Sequence, residues 1–320
     1  MSSPQIHFFD EKPLDLHHIE QTFSSAFGKS FHREGWKWRF QNNPSSERTY
    51  IAYIMEGNEL AGYYAVSPVK LSFFGQDEQI ALSNMTMTHP SHQGKGYFTL
   101  LAKALYARLK EEGFIGIYGF ANRNSHYGFR KNLGWVDLCA STVFRLEKTS
   151  FRGIIPSESI SHNVEEICST SFLPKEKFCI GDRPINLSRD VDHLKWRLID
   201  NPICGYHVAS SSLNDKEQIS IIFKKYGSSI DIMEIFWDSP TFNVELFSSC
   251  IQNLLSLGYD GINLWSNLHS TEHLMMEKLG FSESIFNSYL GCIPLCEKDK
   301  QSELLSYSNW HYRFMDSDIF

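Results

Sequence analysis

Apolar and polar positions change period several times along this chain. Residues 6–9 read as a short strand. Residues 14–27 adopt helical spacing, with Leu16, Ile19, Phe23 and Phe27 set among polar neighbours. Residues 36–40 predict a second short helix, stopped by Asn42-Asn43-Pro44. Residues 50–55 and 60–74 alternate or run apolar and read as strands, with Glu56-Gly57-Asn58-Glu59 as the turn between them. A further strand covers 79–88, and an amphipathic helix runs from Tyr97 to about Glu112, ended by Gly113. Residues 115–120 predict a short buried strand and 124–132 a helix with Asn124 or Ser125 as its cap. Gly134 suits the left-handed position that closes that helix. Residues 136–146 form the closing strand, and the Gly/Pro/Ser-containing stretch 147–163 reads as a linker.

The second half echoes the first. Lys37-Trp38-Arg39 with Asn43-Pro44 matches Lys195-Trp196-Arg197 with Asn201-Pro202, the Trp-to-Pro spacing being six residues each time. Leu133-Gly134-Trp135 matches Leu279-Gly280-Phe281, and each follows a strand and a helix. This reads as a duplicated α/β unit. Because Trp38 and Arg39 recur, they are expected to be structural, the Trp buried and the Arg paired with a carboxylate or backbone.

Composition narrows the class. The chain has 320 residues, 42% hydrophobic and 21% charged, which excludes disorder and suffices for two domains. A net charge of −7 argues against nucleic acid or an anionic membrane as the partner. The seven cysteines are odd in number and widely spaced, unlike a disulfide framework. Cys292 and Cys296 lack a second close pair, so no metal site is expected. No apolar stretch is long enough to cross a bilayer and no signal peptide is seen, so a cytoplasmic location is expected.

The chemistry concentrates in His89-Pro90-Ser91-His92-Gln93-Gly94-Lys95-Gly96-Tyr97-Phe98, at a strand-to-helix turn. Glycines at such a turn present backbone N–H groups to an anion, and the helix start adds its own unpaired donors. The equivalent stretch of the second copy is Trp237-Asp238-Ser239-Pro240-Thr241-Phe242, which brings a negative charge and a missing N–H. One anion site is expected, in the first half. Neither a nucleophile-elbow motif nor a His-Glu-x-x-His spacing occurs.

On these residues the chain resembles the Gcn5-related N-acetyltransferase (GNAT) superfamily, and more closely its tandem two-domain bacterial members. Gln93-Gly94-Lys95-Gly96-Tyr97-Phe98 resembles the loop pattern Gln/Arg-x-x-Gly-x-Gly/Ala, with Phe98 departing at the last position. Residues 118–125 with Leu133-Gly134-Trp135 resemble the second cofactor-side segment. The resemblance covers about residues 5–146 and reaches the second half only by echo. It implies an α/β fold of two GNAT-like domains, each a mixed, mostly antiparallel sheet flanked by helices. The domains are expected at 1–148 (acyl-CoA-binding) and 164–304 (degenerate, without a cofactor loop), with a tail at 305–320.

The same resemblance implies acetyl-CoA bound by Met87, Thr88, Gln93, Gly94, Lys95, Gly96, Tyr97, Phe98, Thr99, Asn124, Tyr127 and Arg130. Phe98 is expected to alter packing rather than phosphate binding. Many relatives place an acidic tyrosine where this chain has Arg130; Tyr127, one turn earlier, is the substitute or simply a packed aromatic. For the base, His89, Glu34 and His126 stand open, as do Asp316 and Asp318 folding back from the tail. The implied reaction is direct attack of a neutral small-molecule amine on the thioester, without an acyl-enzyme. A non-catalytic acyl-CoA sensor and a peptide or protein acyltransferase are the alternatives.

Overall fold

A computed structural model describes residues 4–156, 158–173, 178–214 and 217–318. The chain forms two compact units, which are not consecutive stretches of sequence. Unit 1 gathers 4–71, 76–139 and 288–306; unit 2 gathers 72–75, 140–287 and 307–318.

Unit 1 runs β1 (His7–Phe8), α1 (Leu16–Phe27), α2 (Arg33–Phe40), β2 (Tyr50–Glu56), β3 (Glu59–Phe73), β4 (Gln76–Thr88), α3 (Tyr97–Glu111), β5 (Gly116–Ala121), α4 (Arg123–Leu133) and the start of β6 (Val136–Glu147). The strands lie in the order β1-β2-β3-β4-β5. β1, β2 and β3 pair antiparallel, whereas β4 and β5 are parallel. The apolar run of β2 follows from burial on both faces: Ala52 and Ile54 pack with Leu101, Leu105 and Leu109 of α3, while Ile51 and Tyr53 pack with Ile19 of α1 and Trp36 and Phe40 of α2.

Local chemistry moves some element ends. α2 begins at Arg33, earlier than the apolar residues suggest, because His32 Nδ1 accepts the Gly35 N–H at 2.9 Å. Asn122, not Asn124 or Ser125, caps α4: its Oδ1 accepts from the N–H groups of both those residues. Gly134 takes the left-handed conformation (φ 75°) expected of it.

Unit 2 contains β7 (Ile160–Glu166), β8 (Ile185–Leu187), α5 (Val191–Leu194) continuing as a π-turn over Lys195–Ile199, β9 (His207–Leu213), β10 (Glu217–Tyr226), β11 (Ser229–Trp237), α6 (Val244–Ser256), β12 (Gly261–Leu264) and α7 (Thr271–Leu279). β7, β9, β10 and β11 pair antiparallel in that order, and β11 and β12 are parallel. The pairing scheme of unit 1 is thus repeated. Both echoed Asn-Pro steps are Asx turns: Asn43 Oδ1 accepts from Ser45 N and Asn201 Oδ1 from Ile203 N, each at 2.9 Å. The echoed Trp-Arg pairs differ. Trp38 is buried, but Trp196 is only half-buried. Arg197 is the buried partner, donating to Tyr206 Oη and to the Met315 and Ser317 carbonyls.

Each sheet is closed by a strand from the opposite end of its chain segment. In unit 1, β5 pairs antiparallel with the later part of β13 (Ser282–Pro294), from Tyr289↔Ala121 to Pro294↔Gly116. In unit 2, β12 pairs antiparallel with the end of β6, from Gly261↔Glu147 to Leu264↔Phe144. The final helix, α8 (Lys298–Leu304), belongs to unit 1, where Leu304 packs so closely on Gly116 that a Cβ there would lie 2.9 Å away. The strands of both units therefore pair in a mixed, mostly antiparallel way and are flanked by helices, the α/β architecture that the resemblance implies.

A buried hydroxyl chain ties unit 1 together. Tyr64 Oη contacts Ser83 Oγ and Tyr106 Oη at 2.7 Å each, and Trp135 Nε1 donates to Tyr106 Oη at 2.9 Å. Burial pushes the Tyr106 hydroxyl well above the ordinary phenol range. Tyr106→Phe leaves the Trp135 N–H without its acceptor, so urea denaturation is expected to show a loss of about 1–3 kcal/mol. Unit 2 has a charged counterpart. Burial pushes the Glu234 carboxyl up, but His311, Arg189 and Arg313 outweigh it and hold it at about 2, against the usual 4.5. The folded value lies below the unfolded one, so this contribution is complete above pH 4.5 and is lost as pH falls toward 2. Acid titration followed by tryptophan fluorescence is expected to show unit 2 destabilised across that window, and Glu234→Gln to flatten it.

Candidate functional site

The first glycine-loop residue, Gln93, is extended and closes a 3₁₀ turn over Pro90–His92. Gly94 (φ 78°) and Gly96 (φ 77°) are left-handed, and an added Cβ at either would meet nothing within 4 Å. Backbone conformation, not crowding, therefore requires glycine at both positions. Gly96 is the N-cap of α3, and no side chain caps that helix. Its first N–H groups are left for another acceptor. In unit 2 the corresponding helix, α6, is closed by Asn243, whose Oδ1 accepts from Glu245 N and Leu246 N at 3.1 Å.

A set of contacts fixes the loop. His89 N donates to the Ala61 carbonyl at 3.0 Å, anchoring the loop entry on β3. His89 Nδ1 lies 2.7 Å from Ser91 Oγ. His92 Nε2 lies 3.0 Å from Glu59 Oε2, and Lys95 Nζ lies 2.9 Å from His92 Nδ1. Lys95, His92 and Glu59 thus form one continuous chain of polar contacts. The bond from His92 holds the Glu59 carboxyl below its usual range. Glu59, His89 and His92 bring potential metal-ligand atoms within 4.8 Å of one another. In this structure those groups are hydrogen-bonded to one another, to Ser91 and to Lys95, as a clamp beneath the loop. Tyr97 is buried, donates its hydroxyl to Glu56, and carries the Lys95 ammonium 5.7 Å from the centre of its ring. Gly62 lets α3 approach β3: a Cβ there would lie 3.1 Å from Tyr97 Cβ and Leu101 Cδ1. Sequence reading missed Gly62, although a glycine inside an apolar strand is itself a signal of close approach.

Beside this loop the sheet parts. β4 and β5 pair only at Ile80↔Gly116, Ala81↔Ile117 and Leu82↔Tyr118, although β4 continues to Thr88 and β5 to Ala121. Beyond Leu82 the β4 backbone has no ladder partner on β5. Met85 and Met87 turn their side chains into the apolar cluster with α1 and α2. By alternation Thr86 and Thr88 face the other way. Thr86 Oγ1 is buried and has no hydrogen-bond partner among the described residues. An uncapped helix start, two left-handed glycines with space beside them and an orphaned hydroxyl on a parting strand fit a diphosphate carrying an extended, amide-bearing arm.

The remaining sequence-predicted residues fall in different places. Phe98 turns into the interior, against Tyr64 and Phe129, with Gly128 leaving room for its ring; a Cβ on Gly128 would lie 3.1 Å from it. Thr99 is half-buried on the first turn of α3, and Asn124 is exposed at the start of α4. Tyr127 is 70% exposed. Glu34 is exposed and paired with Lys37 at 2.9 Å. Tyr127, His89 and Glu34 thus form no hydrogen-bonded group. Arg130 donates to the Trp135 carbonyl at 2.6 Å and pairs with Asp137 at 3.2 Å. His126 Nε2 contacts the other Asp137 oxygen at 3.0 Å, and its ring stacks on Tyr289 with centroids 3.7 Å apart. Asp137, which orients His126, was not singled out from sequence. Asp316 pairs with Arg189 inside unit 2 at 2.7 Å, so it does not act as a free base.

Residues 12–136 match the family model described as an acetyltransferase (GNAT) domain. Homology to GNAT acetyltransferases is supported over that segment. No curated protein matches the chain. Among solved structures, a conserved protein of unknown function from Enterococcus faecalis is similar at 11% identity and TM-score 0.68, covering 92% of this chain and 73% of that one. GCN5-related N-acetyltransferases from Anabaena variabilis (15% identity, TM-score 0.64, 91% and 73% covered) and Kribbella flavida (12%, 0.60, 91% and 72%) are also similar. At these identities the likeness is one of fold. The GNAT match is consistent with acyl-CoA-dependent acetyl transfer in general. No helix among the described residues is long and apolar enough to cross a membrane.

The inward position of Phe98 separates packing from anion binding. Phe98→Ala is expected to cost about 2–3 kcal/mol in thermal or urea denaturation, while the Kd for CoA, measured by calorimetry, changes by less than about twofold.

Proposed function

We propose that this chain is an acyl-CoA-dependent N-acyltransferase of two tandem GNAT-like domains, the first holding acetyl-CoA and the second lacking a cofactor loop. The reading rests above all on the uncapped start of α3 behind Gly94 and Gly96. Backbone N–H groups of the loop and of the first turn of α3 bind the diphosphate, with Lys95 adding a cation. The unpaired β4 edge from Asn84 to Thr88 holds the amides of the arm, with Thr86 Oγ1 among its donors. Bound acetyl-CoA supplies an activated acyl thioester. An N–H of Met87 or Thr88 faces the developing negative charge. On α4, Asp137 holds the His126 ring through Nε2, and Tyr127 offers a hydroxyl one turn before Arg130. His89 and Glu34 remain in the proposal as bases acting through ordered water. The acceptor is a primary amine of a small molecule or amino sugar, and the location is cytoplasmic.

A second reading is favoured by Arg130. It stands where many GNAT enzymes have an acidic tyrosine, and its guanidinium is held on Asp137 and the Trp135 carbonyl. On that reading the chain senses acyl-CoA without turnover.

Thiol release from acetyl-CoA over a panel of primary amines separates the two. The isosteric pair Gly96→Asn and Gly96→Asp tests the loop, since both tolerate left-handed backbone and only one adds charge. Gly96→Asp is expected to weaken CoA at least tenfold more than Gly96→Asn and to abolish release. Equal effects would remove the diphosphate from the loop. Tight CoA binding without release for any amine would favour the sensor.

A further inference from the structure

In unit 2 the parallel strands part as they do in unit 1. β11 and β12 pair only at Ser229↔Gly261, Ile230↔Ile262 and Asp231↔Asn263. β11 then continues to Trp237, while the chain after Leu264 leaves the sheet. Two buried carboxylates flank the opening: Glu234 on β11 and Glu272 in the first turn of α7.

The end of the chain lies between them. Residues 310–317 are all buried. Arg313 donates to the Trp265 carbonyl, just past β12, at 2.9 Å and to Glu272 at 2.8 Å, and its Nε lies 3.7 Å from Glu234. One guanidinium thus spans both sides of the parted strands. His311 Nε2 lies 3.3 Å from Glu234. Asn267 donates to the Trp310 carbonyl at 2.6 Å, and Trp265 packs on Phe314 at 5.0 Å. Arg189 joins Glu234 to Asp316 at 2.6 and 2.7 Å.

We propose that residues 310–317 are an in-cis ligand of unit 2, anchored by Arg313 between Glu234 and Glu272, filling the strand gap and leaving no second cofactor site. The binding surface is a guanidinium-selective slot: two carboxylates and a backbone carbonyl around a planar cation. The occupant is the chain's own segment because its backbone and aromatic rings also meet the walls of the slot. The inference rests on the geometry of unit 2 alone and stands apart from acyl transfer by unit 1.

Hydrogen–deuterium exchange on the full chain tests it. In the wild type, amides of 310–317 are expected to be protected like the strands of unit 2. Arg313→Gln is expected to speed their exchange at least tenfold, while the strands of unit 1 keep their protection. Should Arg313→Gln unfold unit 2, Glu272→Gln removes one partner only and is expected to give a smaller acceleration confined to the tail. Calorimetric titration with CoA is expected to show no more than one site per chain in the wild type. A tail that exchanges like an unfolded peptide, protection indifferent to both substitutions, or two CoA sites per wild-type chain would overturn the proposal. Absence of any CoA binding, with the exchange results as expected, would count against the role of unit 1 and leave the tail ligand standing.

Discussion

Parallel strands that part after three paired positions set the problem the rest of this molecule answers. The ladder ends at Leu82↔Tyr118 in unit 1 and at Asp231↔Asn263 in unit 2. Past those points, β4 loses β5 and β11 loses β12 as its parallel neighbour, and leaving backbone donors and acceptors unmet near a buried core is costly. Unit 2 meets the requirement with Arg313 on the Trp265 carbonyl and with Cys179, whose N–H and carbonyl both pair with Trp237 at the end of β11. Unit 1 keeps a buried hydroxyl, Thr86 Oγ1, without a partner. The same local geometry therefore supports a filled slot in one copy and a proposed binding groove in the other.

The closing strands carry the same logic to the level of the chain. β5 takes β13 as its antiparallel neighbour, and β12 takes the end of β6. Pro294↔Gly116 and Gly261↔Glu147 are pairings between residues far apart in sequence, so ordering the chain carries a large loop-closure cost before these edges form. A strand left unpaired at such an edge is a site for misassociation. Each half of the sequence thus relies on the other to complete its sheet.

Much of this was legible because it is local. Gly94 and Gly96 mark the turn and Gly134 the left-handed helix end, and the echo of Asn43-Pro44 in Asn201-Pro202 marks two equivalent positions, which the structure shows to be Asx turns. The order of strands and helices in the first half follows from their periods, and in the second half the strand and helix before Gly280 follow from the echo. Strand exchange was not legible. β6 and β13 are both extended segments following a helix and its closing glycine, and nothing in their own patterns says which neighbour each will take. The partners of Arg130 and His126 were equally hidden, since Asp137 lies on the next strand and charged side chains select partners by distance in space. The place of residues 310–317 was missed as well: Asp316 was expected as a base folding back from the tail, and it is instead paired with Arg189 in a segment whose Trp310, Tyr312, Phe314 and Met315 are all buried.

The contrast between α3 and α6 decides what an N-terminus is for. Both helices follow the strand that parts from its parallel neighbour, and both begin with unsatisfied N–H groups. α6 satisfies two of them with Asn243, preceded by Pro240 and by Asp238, whose carboxylate accepts from Gln218 N. α3 has glycine at the cap and no side chain to accept. A cap contributes about 1 kcal/mol to a helix, so its omission in unit 1 leaves stability unused unless an external acceptor supplies it. Unit 2 took the internal solution at both places where unit 1 did not, with Asn243 at the helix and Arg313 at the strands. Either change alone would leave half of the proposed anion-and-arm site open, and together they close in unit 2 the features on which the proposed site of unit 1 rests.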